Sequence, residues 1–536
     1  TLKINTSSLA YSGIIIMAGG TLDFTSATLG ANSVLNMNGT GILKNAAIDG
    51  AKLTYTESGS SFTKENVTFT SGTIDIGGAL DSLVEGEQGY TFDLGNNLGT
   101  NFTVLGLETG QYRIEGSVLT IEGEAISSVT WVSAGEGGEL EETVKNAFTL
   151  ALGEERAANV SLGYLNGTLT TSGDKVYQIT NTGETKINLS GVYNSGATLP
   201  SGNLNYQGDI WMDINGGAFG IIAGGVTNEW STKLQTSTLT GDTHVQLSGD
   251  ATAEHVIGGK NKGGSTTLTG NTNVTVKDNA IVAGAIIGGS TSAHNAVTTI
   301  TGNTSVLVTN VQYSNTAQNL DGGLSNSYII GGSSWSSNTT SGTTIQGSTS
   351  ATINLNGITL SGTEEHNSFV KTIIGGSYGN VNKAGTVNNT NGDTSVSIIG
   401  REGITFTGDI IGGSFENSGQ AQYTIGGNSS ISISGGSTFT GNIYGGSYSK
   451  VPGNTGSTMT TAGNITVELG TGTYRGNIYG AGNKGTAGGD VLVSLTGGSV
   501  FGAEGEQRGI TIGGSAGAAV EGNRTLELKG TFGDAD

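Results

Sequence analysis

The sequence predicts an all-β protein built as a parallel β-helix, also called a β-solenoid. Three observations lead to this fold class. Glycine accounts for 95 of the 536 residues, whereas proline occurs twice and cysteine is absent. Two apolar residues followed by two glycines recur in nine copies, with Ala481 in place of the second glycine in the eighth, at a mean spacing of about 36 residues. Between these copies, apolar and polar residues alternate in short segments, and this alternation is typical of a half-buried strand.

The recurring glycine pair marks the coils of the predicted solenoid. Its first glycine stands at Gly224, Gly258, Gly288, Gly331, Gly375, Gly412, Gly445, Gly480 and Gly513. Short strands cannot bury their apolar sides alone, whereas coils stacked at ~4.8 Å form a continuous core. Glycine is expected where the chain turns sharply and where neighbouring coils leave no room for a Cβ atom. We therefore predict about nine coils of a parallel β-helix over residues 206–536.

Aromatic residues recur at two fixed places relative to the glycine pair. Six residues before its first glycine stand Phe369, Phe406, Phe439 and Tyr474. Three residues after it stand Tyr378, Phe415 and Tyr448. Equivalent positions of neighbouring coils lie above one another, so side chains of one type form stacked ladders. The sequence therefore predicts two aromatic ladders.

The first part of the chain is predicted to have a different organisation. Residues 1–80 contain strand fragments separated by Gly, Ser and Asn, and they predict a β-solenoid of shorter period. Residues 81–205 break this pattern and predict one small, irregular, β-rich insertion or cap. Apolar residues recur there with helical spacing at Leu140, Val144, Ala147, Phe148 and Ala151. We therefore expect a single helix at about 139–152, in a segment that packs on the solenoid flank or caps an open end, with a functional lobe as the alternative.

Composition and charge exclude several kinds of protein. The formal net charge of −21 and the pI near 4.5 argue against a nucleic-acid partner, which needs clustered Lys and Arg. Without cysteine the chain forms neither disulfides nor Cys-ligated zinc sites. The apolar run Ile14–Ala18 is far too short to cross a bilayer, so we expect no membrane insertion. Thr1–Lys3 lacks the features of a secretory signal and the first residue is not Met, so we interpret the chain as a piece of a longer protein.

Several phrases resemble repeats of large bacterial surface proteins. Residues 435–447 read Gly-Gly-Ser-Thr-Phe-Thr-Gly-Asn-Ile-Tyr-Gly-Gly-Ser, and residues 472–482 read Gly-Thr-Tyr-Arg-Gly-Asn-Ile-Tyr-Gly-Ala-Gly. The phrase Gly-Gly-Thr-Leu-Asp-Phe at 19–24 is similar to phrases in the β-helical passenger domains of bacterial autotransporters. The resemblance covers residues 1–80 and 206–536.

This resemblance implies a right-handed parallel β-helix. It also implies export through the outer membrane of a Gram-negative bacterium and a location at the cell surface or outside the cell. Members of this family without appended catalytic domains are mostly adhesins, self-association factors or spacers, so the resemblance implies one of these roles.

Parallel β-helices also include polysaccharide lyases and glycoside hydrolases, so the acidic residues bear on a possible enzymatic function. Glycoside hydrolysis uses two carboxylates about 5–10 Å apart. The acids that follow a strand-leading glycine are separated by several coils: Asp242, Asp393 and Asp490. The nearest approach to an acidic patch is Asp409 with Glu416 and Glu402 in one coil. We therefore predict that the protein is not an enzyme, with a carbohydrate-active enzyme as the alternative.

Metal and cofactor sites are not indicated. The spacing of the four histidines matches no metal-binding motif: His244, His255, His294 and His366. We predict no cofactor and no metal site, and Asn- and Asp-rich turns such as residues 390–393 leave calcium as an alternative. The serine of the recurrent Gly-Gly-Ser is expected to bond turn backbone rather than to act as a nucleophile.

One candidate binding site remains. The ladder of Tyr378, Phe415 and Tyr448, with Trp335 offset from its register in the preceding coil, predicts an exposed aromatic strip. Such a strip can bind sugars, because sugar rings stack on aromatic rings. The alternative is that the ladder only stabilises the fold. The sequence favours a non-catalytic extracellular surface protein, an adhesin or elongated display scaffold that binds glycans or host surface proteins. A module for self-association between cells is a second alternative, beside the enzyme.

Overall fold

The computed structural model describes most of the chain. It describes residues 2–3, 13–18, 20–38, 41–58, 63–86, 89–98, 101–105, 107, 112–121, 125–135, 138–152, 159–164, 173–194, 203–228, 236–261, 264–293, 296–311, 328–336, 342–357, 368–369, 371–380, 387–417, 422–450, 458–483, 485–502, 509–514, 518–529 and 531–532.

The protein is all-β, and three long parallel sheets with strands that interleave in sequence form a parallel β-helix. Within the described residues, sheet I has 13 strands, sheet II 16 and sheet III 10, and the shorter sheet IV has 6. Each coil runs from sheet III to sheet I, then in the later coils to sheet IV, and on to sheet II. The predicted fold class is therefore confirmed as a β-solenoid.

The strand bounds follow sheet by sheet. Sheet I comprises Ala125–Gly135, Gly138–Leu152, Lys175–Asn181, Ile210–Gly216, Thr243–Leu247, Thr272–Lys277, Thr304–Thr309, Thr349–Asn354, Thr394–Ile399, Ser429–Ser434, Ile465–Leu469, Val491–Leu495 and Arg524–Leu528. Sheet II comprises Asn159–Ser161, Ile187–Asn194, Ala218–Asn228, Thr252–Asn261, Ile281–Val282, Ile286–Ala293, Tyr328–Ile330, Ser334–Ser336, Thr372–Ile374, Tyr378–Asn380, Ile410–Ile411, Phe415–Glu416, Ile443–Tyr444, Tyr448–Ser449, Ile478–Tyr479 and Ile510–Thr511. Sheet III comprises Asn203–Gln207, Thr236–Thr240, Ser265–Thr269, Val297–Ile300, Gly342–Ile345, Val387–Thr390, Gln422–Ile425, Thr458–Thr461, Gly485–Ala487 and Ala519–Val520. Sheet IV comprises Ser368–Phe369, Thr405–Phe406, Thr438–Phe439, Gly472–Tyr474, Ser499–Phe501 and Thr531–Phe532.

The N-terminal region is a separate parallel sheet of shorter period. Its strands are Leu2–Lys3, Gly13–Ala18, Thr21–Leu29, Ser33–Asn38, Ile42–Thr54, Thr63–Asp75 and Phe102–Val104. Leu2, Leu22, Leu43 and Lys64 occupy one register column, so each coil here takes about 20 residues. The region has a hydrophobic core of its own, which includes Phe24 and Leu53.

A four-stranded antiparallel sheet follows the N-terminal coils. It comprises Val84–Gly86, Gly89–Asp93, Tyr112–Glu115 and Val118–Ile121. Short 3-10 helices occupy Gly77–Ser82 and Leu162–Tyr164.

The predicted helix at 139–152 is wrong, because these residues form the strand Gly138–Leu152. It pairs antiparallel with Ala125–Gly135 to make a long hairpin. Its last residues, Phe148–Leu152, pair in parallel with Tyr177–Asn181. Phe148, Leu150 and Leu152 also fit an alternating pattern, and pairing on both sides decides the conformation over local helical spacing.

The long-period coils begin before residue 206, the predicted start of this region. Lys175–Asn181, Ile187–Asn194 and Asn203–Gln207 already belong to sheets I, II and III. Their coil has no double glycine, and a single glycine, Gly191, stands at the equivalent place, where a Cβ atom would overlap the carbonyl oxygen of Gly224. A search for glycine pairs therefore does not detect it.

A ladder of hydrogen bonds joins successive coils at the corner between sheets III and I. At each step a side-chain oxygen accepts the backbone N–H of the equivalent residue in the next coil, at 2.7–3.1 Å. The ladder runs without interruption through Asp174, Asp209, Asp242, Asn271, Asn303, Ser348, Asp393, Asn428, Asn464, Asp490 and Asn523. Each corner is thus fixed by its neighbour, which favours a rigid rod.

Candidate functional site

Sheet II carries a second apolar cluster on the side that faces away from the solenoid core. Adjacent residues divide between the two sides, since Ile373 belongs to the main core and Ile374 to the outer cluster. We call this the outer aromatic cluster. Its buried members are Ala223, Ile257, Ala285, Ile287, Ile330, Ile374, Tyr378, Ile411, Phe415 and Tyr444, with Ile221, Tyr328, Tyr448 and Tyr479 half-buried around them.

The Gly-Gly-Ser bend creates this cluster. At this bend the segments before and after it turn their outer sides toward each other, so that the rings of Tyr444 and Tyr448 lie 4.4 Å apart. A Cβ atom at Gly376 would lie 2.6 Å from the Oγ of Ser414, so only glycine fits there. Small residues at the bend therefore bring the two aromatic positions of one coil into contact.

Hydroxyl groups of the bend serines link neighbouring coils. The N–H of Ser333 donates to the Oγ of Ser377 at 3.2 Å, and the N–H of Ser377 donates to the Oγ of Ser414 at 3.1 Å. The N–H of Ser414 donates to the Oγ of Ser447 at 3.0 Å. The prediction that these serines bond turn backbone is confirmed.

The predicted ladder of Tyr378, Phe415 and Tyr448 is in register. Its ring centroids lie 5.4 Å and 5.2 Å apart. The expected exposure is wrong for two of the three rings, because Tyr378 is 1 % and Phe415 5 % exposed. Both pack against the apolar residues before the bend, and only Tyr448 is half-buried.

Trp335 lies one place away from this ladder. It pairs with Ser292 and Gly379, whereas Ser334 occupies the position of Tyr378. Its side chain lies outside the described residues.

Sequence reasoning missed the half-buried rings that border the cluster. Tyr444 and Tyr479 each stand directly before the first glycine of their copy of the repeat. This is a third recurring aromatic position, and the sequence contains the signal for it. Their rings stack at 5.0 Å with an interplanar angle of 10°. Tyr328 approaches Tyr378 at 4.6 Å from the preceding coil.

Asp409 lies at the polar border of the outer aromatic cluster. It is half-buried, and its Oδ1 accepts the N–H of Asn442 in the next coil at 2.8 Å. Burial raises the pKa of Asp409, while the hydrogen bond from Asn442 and the charge of Lys450 act in the opposite direction. Burial, followed by the negative charge of Asp409, raises the pKa values of Tyr444 and Tyr448. Ile411 pairs with Tyr444 of the next coil, so the carboxylate of Asp409 stands two residues before this pair at the edge of the cluster.

The other predicted ladder belongs to the solenoid core. Phe369, Phe406, Phe439 and Tyr474 follow one another with centroids 4.8–5.3 Å apart. All four are buried, so this ladder stabilises the fold.

The acidic residues are placed differently from what the sequence suggested. Phe415 belongs to the outer cluster, so Glu416, the next residue of the strand and fully buried, lies on the opposite side of sheet II from Asp409. Glu402 is exposed. Three acids that the sequence did not bring together stand in adjacent coils: Asp174, Asp209 and Asp242. Each accepts hydrogen bonds from the next coil, Asp174 and Asp209 through Oδ1 and Asp242 through both carboxylate oxygens.

Among the residues that the structure describes, no group of three or more His, Cys, Asp or Glu side chains is arranged to hold a metal ion. Asp393 of the turn proposed for calcium accepts the N–H of Asn428. His244 and His255 lie in different sheets, and His294 and His366 lie outside the described residues. In the described part of the chain, no helix has the length and apolar character needed to span a membrane.

Comparisons with protein-family models, with curated proteins and with solved structures found no match to this chain.

Proposed function

We propose that this protein is a non-catalytic extracellular surface protein, resembling the passenger region of a bacterial autotransporter, that acts as an adhesin or display scaffold. It would be exported through the outer membrane and would bind glycans or host surface proteins. The observation that carries this proposal is the outer aromatic cluster, which has half-exposed tyrosines at its border and lies on the flank of a repeated scaffold. Tyr328, Tyr448 and Tyr479 border the outer aromatic cluster, while the corner ladder holds the coils in register.

The test is a glycan array that includes neutral, acidic and mucin-type glycans, probed with the intact chain at physiological salt. Selective binding supports an adhesin. A blank array together with no binding to immobilised host surface proteins would contradict it.

A second candidate, self-association, is favoured by the surface of sheet III. In the described strands, its exposed and half-exposed positions carry no charged side chain, although the chain has a net charge of −21. They are Asn203, Asn205, Gln207, Thr236, Thr238, Thr240, Ser265, Thr267, Thr269, Val297, Thr299, Gly342, Thr344, Asn389, Gln422, Thr424, Thr458, Thr460, Gly485, Thr486, Ala519 and Val520. Two such surfaces can approach without charge repulsion.

Sedimentation velocity tests this second candidate. We expect the mass of the wild type to rise with concentration and that of the double variant Thr267→Glu, Thr344→Glu to stay monomeric. Ser432→Glu, at an exposed position of sheet I, is the matched control and should behave like the wild type. A wild-type mass that is independent of concentration would contradict self-association.

A further inference from the structure

We propose that Asp409, Tyr448 and Tyr479 form a subsite for a neutral pyranose unit of a glycan. This inference rests on the proposed function and specifies where and what the adhesin binds.

The first component is an aromatic platform. Tyr479 stacks on the buried Tyr444, and Tyr448 contacts the same ring at 4.4 Å. Tyr444 therefore supports both half-exposed rings from below and fixes their positions. A ring held in this way presents a rigid apolar face, against which the C–H groups of a pyranose pack at little entropic cost.

The second component is a carboxylate in a fixed orientation. Asp409 lies two residues before Ile411 of the outer aromatic cluster, hence on the same side of the strand. Its Oδ1 accepts the N–H of Asn442, and a carboxylate has further lone pairs with which it can accept a sugar hydroxyl. Ile411 pairs with Tyr444 of the next coil, so Asp409 stands two residues ahead of the position that Tyr444 occupies in the platform. Charge-assisted hydrogen bonds of this kind are the strong polar contacts of a binding site.

Charge selects among sugars. Asp409 and the net charge of −21 repel glycans that carry carboxylate or sulfate groups, against the single positive charge of Lys450 near Asp409. A neutral hexose with adjacent hydroxyls matches the site, since it offers donors to the carboxylate and an apolar face to the rings.

The experiment titrates the intact chain by calorimetry with four tetrasaccharides. Three are neutral: β-1,4-linked glucose, α-1,4-linked glucose and α-linked mannose. The fourth is α-1,4-linked galacturonate. We expect at least one neutral saccharide to bind and galacturonate not to bind. Failure of all three neutral probes, or binding of galacturonate alone, would overturn the subsite.

Variants locate the binding. Asp409→Asn keeps an oxygen for the Asn442 N–H and should weaken neutral-saccharide binding about tenfold to a hundredfold. Asp393→Asn is the matched control, because Asp393 makes the same ladder bond to Asn428 at a different corner, and it should bind like the wild type. Tyr479→Ala should abolish binding, whereas Tyr479→Phe keeps the ring and should retain it. Wild-type affinity in Asp409→Asn and Tyr479→Ala would overturn this subsite, while retained binding of the neutral saccharide would leave the proposed adhesin function standing.

Discussion

The rings of Trp211 and His244 lie face to face, with centroids 3.4 Å apart and planes 6° from parallel. Trp131 of the hairpin meets both rings edge-on, at 5.2 Å and 5.7 Å. The hairpin strand Ala125–Gly135 also contacts Thr272–Lys277 and Thr304–Thr309, although it pairs only at the end of sheet I. The hairpin therefore folds over the outer side of this sheet, and the stacked rings are its anchor.

Acid should weaken this packing through His244. Burial, opposed by the charge of Asp242, lowers the pKa of His244 to about 4. Between pH 6.5 and 4 the unfolded chain binds a proton that the folded chain does not, so stability falls as the pH falls through this window. In this window the free energy of unfolding changes by up to about 1.36 kcal/mol per pH unit.

Urea unfolding of the wild type and His244→Phe at pH 7 and pH 5 measures this contribution. From pH 7 to pH 5, the free energy of unfolding of the wild type should fall by about 2 kcal/mol more than that of the variant. An equal loss in both proteins would show that His244 does not titrate in this way.

Lys371 predicts a pH dependence in the alkaline range. It is 1 % exposed, and its Nζ donates to the carbonyl oxygens of Ala283 and Gly284, two coils earlier. Burial lowers its pKa to about 7. Between pH 7 and 10.5 the unfolded chain binds the extra proton, so stability should rise with pH in this window.

Lys371→Met should flatten that rise by about 2 kcal/mol between pH 7 and pH 9, measured by urea unfolding. Lys529→Met, at an exposed position, serves as the control and should follow the wild type. A rise of the same size in Lys371→Met would exclude Lys371 as its source.

The hydrogen bonds between the bend serines should contribute more to stability than those of the ladder at the corner between sheets III and I. Ser377→Ala leaves the buried N–H of Ser333 without its acceptor and should lower the free energy of unfolding by about 1–3 kcal/mol. Asn428→Ala removes the acceptor of the exposed N–H of Asn464, which water can replace, and should cost less than about 1 kcal/mol. Equal losses in chemical unfolding would contradict the difference in burial.

Gly412, the first glycine of its pair, should tolerate no side chain. In Gly412→Ala the new Cβ would meet the carbonyl oxygen of Gly445 and, at 2.8 Å, the Oγ of Ser429, so we expect a loss of about 1–3 kcal/mol. At Gly509 the nearest atom is Asn477 Oδ1 at 3.9 Å, and Gly509→Ala should change stability by less than about 0.5 kcal/mol. Thermal unfolding of both variants provides the comparison.

The sequence predicts the repeat well because glycine and alternating residues act through short-range geometry. The coils around Gly375, Gly412 and Gly445 follow from spacing alone. The hairpin strand Gly138–Leu152 does not, because its partners Ala125–Gly135 and Tyr177–Asn181 decide its conformation. The register of Tyr378 and Phe415 is also predictable, but their burial depends on the bend, which turns their side of the sheet toward Ile374 and Ile411.

Binding without turnover is the central functional proposal. Its most direct test incubates the intact chain with neutral and acidic polysaccharides and follows the products by mass spectrometry, with binding measured on the same samples. Bound polysaccharide of unchanged chain length is expected. Shortened or unsaturated products would contradict a non-catalytic adhesin and would favour a carbohydrate-active enzyme.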